Sequence, residues 1–263
     1  MIKAVFFDID GTLLSHRTHQ VPTSTKKAIQ FLKEKGIYIF IATGRHISEI
    51  KALPLDDIEC EGYITLNGQY CYNKNEVIYD LPIHPDDITN IIHKVEENPI
   101  PCAFIEKDIM YINYVNDTVH LVQKAISSPV LEIGDLNRGL TNPIYQVMIY
   151  GLNEDEEKNL LQHMPHCQYT HWHDQAIDII PNIGGKQNGI LKVMEYYHLS
   201  PEECMAFGDG HNDICMFNII PLSIAMGNAS QEVKDHAYEV TDDIDKDGLY
   251  NALIKHHIIE TKG

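Results

Sequence analysis

The sequence is short of basic residues, of paired cysteines and of long apolar runs, and each shortage closes off a class of function. Lysine and arginine total 20 against 38 aspartates and glutamates, for a net charge of −18. A nucleic-acid binder displaces counterions with a basic face, and no Lys/Arg cluster of that kind occurs, so no nucleic-acid partner is expected. The acidic excess is expected to serve solubility. It also means that an anionic ligand has to be held by a metal ion and a few placed cations. The longest apolar run, residues 37–42, falls far below the roughly 20 residues of a membrane span, so no membrane partner is expected. The opening Met-Ile-Lys-Ala-Val-Phe-Phe-Asp lacks a basic region followed by an apolar stretch and a small-residue cleavage site, which makes a cytoplasmic protein the expectation. The six cysteines (Cys60, Cys71, Cys102, Cys167, Cys204, Cys215) include no C-x-x-C pair. That usage suits a reduced setting and buried apolar packing. Internal repeats and low-complexity segments are absent, and oligomeric state is not legible.

What is present is enough for a sizeable core. At 263 residues with 44 % apolar content, the chain fits one large domain or two smaller ones. Residues 2–8 are nearly all apolar, as in a strand buried on both faces of a parallel sheet. A helix over 23–35 follows, capped by Thr23 or Ser24 and stopped by Gly36. Strand 37–42, a short helix over 46–53 and strand 63–66 continue the alternation that marks a doubly wound sheet. Between about 81 and 183 the character changes. Short half-polar strands (102–106, 110–114, 145–150, 168–172, 176–180) are interleaved with two polar helices, 86–97 and 154–164. They predict an antiparallel sheet covered on one side. From Lys186 the first pattern resumes, with helix 187–197, strand 204–207, helix 212–219, strand 222–225 and helix 231–236. The expected fold class is therefore α/β: a Rossmann-like, doubly wound parallel-sheet core (1–81 and 184–263) with an inserted α+β cap (82–183).

Four segments carry chemistry. In Asp8-Ile9-Asp10-Gly11-Thr12-Leu13, residues i and i+2 of a strand point the same way, so Asp8 and Asp10 can reach one centre. They stand at the carboxyl end of the first strand, where open α/β sheets place ligands. Two carboxylates held together call for a cation, and an oxygen-rich site favours magnesium. Thr43-Gly44-Arg45 puts a hydroxyl and a backbone N–H after the second strand, a small anion cradle. Lys186, in Gly184-Gly185-Lys186, adds its charge to the positive end of a helix, which is unfavourable unless an anion is near. Gly208-Asp209-Gly210-His211-Asn212-Asp213 crowds polar side chains after another buried strand, where Asp209 can complete a metal site with Asp8 and Asp10.

In this order and spacing, the four segments resemble the haloacid dehalogenase-like hydrolases, and most closely the Cof-type sugar-phosphate phosphatases, whose large α/β cap lies between the second and third motifs. The segment Ile64-Thr65-Leu66-Asn67-Gly68 is also similar to the family's stretch before the cap. One departure is Lys186-Gln187-Asn188-Gly189, where the family often has Lys-Gly or Lys-Ala-x-Ala. The resemblance implies a magnesium-dependent phosphatase for small phosphorylated metabolites. Asp8 would be the nucleophile that becomes phospho-aspartate and Asp10 the acid–base group. The Asp8 carboxylate, the Asp10 backbone carbonyl and Asp209 would hold Mg2+. Thr43, Gly44, Lys186 and Asn212 would hold the phosphoryl oxygens, and Asp213 would orient Lys186 or a metal-bound water. A phosphotransferase or phosphomutase on the same scaffold would need extra cap arginines, and residues 82–183 hold only Arg138. A non-catalytic sensor of phosphometabolites predicts damage to Asp8, Asp10 or Asp209, and all three are intact. His163, His166, His171 and His173 lack a convincing zinc ligand spacing. Asn113, Asn116 and Asn142 read as turn residues, and 154–157 as the acidic start of a helix.

Overall fold

The structure is a computed structural model that describes residues 1–260 other than 56, 57 and 127. It divides into two compact units, one of Met1–Arg45, Glu49–Asp80 and Gly185–Gly263, the other of His46–Ser48 and Leu81–Gly184. The first unit begins with β1 (Ala4–Phe7), α1 (Thr23–Glu34) and β2 (Tyr38–Ala42). After α2 (Ile47–Ile50) come β3 (Gly62–Thr65) and a hairpin of β4 (Tyr70–Asn73) and β5 (Val77–Asp80). The second unit runs through α3 (Pro85–Glu97), β6 (Cys102–Ile105), β7 (Met110–Ile112), α4 (Asp117–Ala125) and β8 (Glu132–Ile133). It ends with β9 (Gln146–Tyr150), α5 (Glu154–Leu161), β10 (Cys167–His173) and β11 (Ala176–Pro181). The chain then returns through α6 (Lys186–Tyr196), β12 (Cys204–Gly208), α7 (Ile214–Phe217), β13 (Leu222–Ala225), α8 (Gln231–His236), β14 (Glu239–Val240) and α9 (Gly248–Lys255).

The first unit is built on one sheet in the order β14-β13-β12-β1-β2-β3-β4-β5. It is parallel from β14 to β3, and the β4–β5 hairpin adds two antiparallel strands at one edge. β1 lies in the middle with every residue buried, which is why Ala-Val-Phe-Phe carries no polar face. Phe6 stacks on Phe40 at 5.0 Å and Phe7 on Phe207 at 5.3 Å between ring centroids. Each fully buried phenylalanine stabilises the fold by about 1.5–3 kcal/mol, so these four rings bolt the three central strands together. Phe7 stands in register with Ile41 on one side and Phe207 on the other. The carboxyl ends of β1, β2 and β12 are thereby level, which brings the loops after them together. At α1 the cap differs from expectation. Thr23 is the first helical residue, and the N-cap position belongs to Pro22, which offers no side-chain bond; proline's fixed φ begins the helix without a hydroxyl.

The second unit has a six-stranded sheet, β10-β11-β9-β6-β7-β8, antiparallel except for the β7–β8 pair. Residues alternate across it. Cys102 and Phe104 of β6 join the larger cluster with α3 and α5, whereas Ala103 joins a smaller one with Val119 and Val122 of α4. Two expectations need correction here: the unit has a third helix, and α4 covers part of the second sheet face. Asn116, read as a turn residue, is the N-cap of α4, its side chain accepting from Val119 N. Among the described residues no helix is long and apolar enough to cross a membrane. All six cysteines are free thiols, five of them buried.

Candidate active site

The site forms where β1, β2 and β12 end. Asp8 N donates to Phe207 O at 3.0 Å, extending the β1–β12 ladder by one bond and fixing Asp8 beyond the sheet. Gly11, at φ +79°, then turns the chain sharply, and the N–H groups of Leu13 and Leu14 both return to Ile9 O. Asp8 is left buried, facing Lys186 at the first position of α6. Lys186 Nζ donates to Asp8 Oδ1 and to Asp213 Oδ1, each at 2.6 Å. The other Asp213 oxygen accepts from the backbone N–H groups of Asp209 and Gly210 at 2.9 Å each. Asp213 therefore ties the β12 loop to the lysine. Asp209 accepts from Thr12 Oγ1 at 2.9 Å and from Asn228 Nδ2 at 3.1 Å, and Asn228 Nδ2 also donates to Gly11 O at 2.9 Å.

Asp8, Asp209 and Asp213 place carboxylate oxygens within 4.8 Å of one another, and they are the one such His/Cys/Asp/Glu group among the described residues. The electrostatics show what this crowding costs. Burial first, then Asp213 and Asp10, push the Asp8 carboxyl up to about 7 despite Lys186. Burial, Asp8 and Asp213 push Asp209 up to about 8 against the pull of Thr12 and Lys186. Lys186 is held above its ordinary value because Asp213 and Asp8 outweigh the burial that would lower it. With all three ionised, three carboxylates against one ammonium leave two negative charges, the complement of one divalent cation. The donors are all hard oxygens, a set that suits magnesium, calcium or manganese.

Asp10 lies outside this carboxylate group. Its two oxygens take a bidentate grip from Arg45, Nε at 2.6 Å and Nη2 at 2.8 Å, and Glu49 stands 3.8 Å from the same guanidinium. Asp8 and Asp10 are therefore neighbours with separate partners. Thr43 is buried, its Oγ1 accepting from Arg45 N at 3.2 Å. Gly44 packs against Asn67, whose Oδ1 would lie 3.0 Å from a Cβ at that position. Asn212 Nδ2 donates to the same Asn67 oxygen at 3.0 Å. All the anticipated site residues thus belong to one unit, with Asp8, Lys186, Asp209 and Asp213 in one cluster and Thr43, Gly44 and Asn212 joined through Asn67. The sequence reading gave no role to Arg45, Asn67 or Asn228. Each follows the carboxyl end of a parallel strand, the same signal that marked Asp8 and Asp209. The histidines of the second unit make other contacts: His166 meets buried Asp87 at 3.0 Å, and His171 meets buried Glu157 at 3.1 Å.

A buried carboxylate bonded to a buried lysine, within a group of three carboxylates at the carboxyl edge of a doubly wound sheet, makes an oxygen-rich site of the kind that can hold a divalent cation. The family description "haloacid dehalogenase-like hydrolase" matches residues 5–253, and the chain belongs to that family. It is 33 % identical over 254 residues to YkrA of Bacillus subtilis (strain 168), covering 95 % of this chain and 96 % of that protein. It is 28 % identical over 279 residues to the pyridoxal phosphate phosphatase YbhA of Escherichia coli (strain K12), covering 97 % and 99 %. Among solved structures it is similar to the HAD subclass IIB sugar phosphatase BT4131, with a TM-score of 0.86, 34 % identity and coverage of 98 % of this chain and 100 % of that one.

Proposed function

We propose that the protein is a magnesium-dependent phosphomonoesterase for small phosphorylated metabolites, sugar phosphates foremost, acting through a phospho-aspartyl intermediate on Asp8. The observation that carries this reading is the buried Asp8 carboxylate, 2.6 Å from Lys186 and grouped with Asp209 and Asp213. Asp8 attacks phosphorus in line with the departing alcohol, forming the acyl phosphate as the ester P–O bond breaks. Asp10 gives the leaving oxygen its proton and later takes one from the water that attacks the intermediate, which returns Asp8 and releases inorganic phosphate. Arg45 holds both Asp10 oxygens here, so one of them leaves the guanidinium when Asp10 carries the proton. Lys186, with the Thr43 hydroxyl, the Gly44 N–H and the Asn212 amide, neutralises the equatorial phosphoryl oxygens. Mg2+ would be held by the Asp8 carboxylate, the Asp10 backbone carbonyl and Asp209, and it would supply charge neutralisation at the transferring group. Asp213, engaged by Lys186 and two backbone N–H groups, positions the lysine.

Residues 1–81 and 184–263 are assigned to this chemistry and the inserted segment 82–183 to the choice among substrates. Support for a sugar phosphate comes from the sugar phosphatase similarity, and the pyridoxal phosphate phosphatase widens the class to be screened. The decisive experiment compares wild type with Asp8→Asn on a panel of phosphorylated sugars and cofactors, with Mg2+ or with EDTA. Removing a covalent nucleophile costs several orders of magnitude. An Asp8→Asn protein that keeps more than about a tenth of wild-type turnover, or an EDTA-insensitive wild type, would sink the mechanism.

A further inference from the structure

Beyond β3, the chain does something the chemistry above does not use. Leu66, Asn67 and Gly68 take φ of 53°, 54° and 92° in succession, a left-handed turn that includes a leucine and an asparagine. L-residues with a β-carbon avoid that region, and single strained residues of this kind persist where their surroundings over-determine them. Leu66 and Asn67 are both buried at 2 % exposure. The turn touches three of the loops that carry the site. Leu66 N donates to Arg45 O at 3.3 Å and Asn67 N to Thr43 O at 3.1 Å, which fastens the loop after β2. Gly68 packs on the start of α6, where a β-carbon at position 68 would lie 2.9 Å from Gly185 C and 3.1 Å from Lys186 Cα; only glycine fits so close. The Asn67 side chain reaches the third loop, accepting from Asn212 Nδ2 at 3.0 Å and packing against Gly44.

We infer that the left-handed turn Leu66–Gly68 sets the spacing of the phosphate-holding loops, and that Asn67 is a positioning residue for Asn212. The inference rests on the phosphatase reading. An amide nitrogen carries two N–H groups. With one committed to Asn67 Oδ1, the other has a fixed direction, so Asn212 meets a phosphoryl oxygen without first surrendering side-chain freedom. Asn67 touches no reacting atom in this account. It acts through Asn212 and through the loop of Thr43 and Gly44.

A double-mutant cycle tests this, with p-nitrophenyl phosphate as substrate and inorganic phosphate as competitive inhibitor. Asn67→Gly keeps the left-handed backbone and removes the side chain. It should lower kcat/KM by about tenfold to a hundredfold, the scale of a small misplacement of catalytic groups. It should weaken phosphate inhibition and leave the thermal midpoint near that of wild type. Asn212→Ala should cost a similar factor in the wild-type background and less than about threefold in the Asn67→Gly background, because the two residues act as one. In Asn67→Asp, which retains the acceptor and also tolerates the left-handed region, Asn212→Ala should cost what it costs in wild type. Where Asn67→Gly fails to fold, Asn67→Ala serves as the acceptor-free background, and Asn212→Ala must again cost less than about threefold there. Additive losses in the Gly background, or loss of the Asn212 effect in the Asp background, would overturn the assignment. The two readings fail separately. A wild type without Mg2+-dependent turnover, or one matched by Asp8→Asn, removes the phosphatase reading and this inference with it. An active wild type with an additive cycle removes this inference alone.

Discussion

Placing a single methyl group at Gly11 tests the assembled site without altering any charged residue. A Cβ at that position would stand 2.6 Å from Asp209 Cγ and closer still to one carboxylate oxygen. Carbon atoms rest about 3.5–4.0 Å apart, so the Asp209 carboxylate must retreat by about 1 Å. It cannot do so freely, because Thr12 and Asn228, both next to Gly11, hold its two oxygens at 2.9 and 3.1 Å. Alanine at φ +79° adds backbone strain of about 1–2 kcal/mol. A 1 Å misplacement of a catalytic group costs about a hundredfold in rate. Gly11→Ala should therefore lower kcat about a hundredfold and raise the Mg2+ concentration needed for half-maximal rate, with a modest loss of thermal stability. The assay is a Mg2+ titration of steady-state turnover, paired with a melting curve of the same preparation. A folded Gly11→Ala protein with wild-type kcat and wild-type Mg2+ dependence would show that Asp209 is no part of the metal site.

Two further outcomes follow from the charges. Lys186→Met leaves Asp8 and Asp213 buried without their cation, and breaking a buried pair costs about 3–5 kcal/mol; denaturant unfolding in EDTA at about pH 8 should show that loss, and a change below about 1 kcal/mol would mean the ammonium is not what balances the cluster. The second concerns pH. Asp8 and Asp209 are raised from 3.8 to about 7 and about 8, so the metal-free fold keeps protons that the unfolded chain has released. This contribution to stability is complete below about pH 4 and is lost as pH rises through 7 to 8. A divalent cation competes with those protons, so the increase in melting temperature on adding Mg2+ should grow between about pH 6 and 8. An increase that is flat across that window would refute the linkage.

The parallel core was legible because strands buried on both faces must be continuously apolar, and their carboxyl ends then mark where polar residues serve a purpose. Asp8, Asp209 and Asp213 stand out on that signal, and Lys186 on a different one, a cation at the positive end of a helix. Strand 222–225 and helix 231–236 were placed to the residue, since each is bounded by polar or small residues that punctuate it. α4 was missed because its only clear start signal, Asn116, is chemically the same as a turn asparagine. Arg45 was visible, but its partner was not, because a bidentate arginine at a loop depends on where two strands end in space. The left-handed turn was invisible for a related reason. Leucine is a poor candidate for positive φ, and only contacts to residues 43, 45 and 185 force it there.

The β1–β12 pairing bears on how this chain is made. Ala4 pairs with Cys204, so the central strand waits for a partner roughly 200 residues later. At synthesis rates of about 5–20 residues per second, that is a delay of roughly 10–40 s. Meanwhile Leu81–Gly184 emerges as one continuous stretch and can fold as a unit. β1 and β2 can pair early, but the other edge of β1, whose four side chains are all apolar, stays open throughout that interval. Such an edge is a template for pairing with another chain. The period of greatest exposure to aggregation therefore falls during translation of the inserted unit, and ends only when β12 leaves the ribosome.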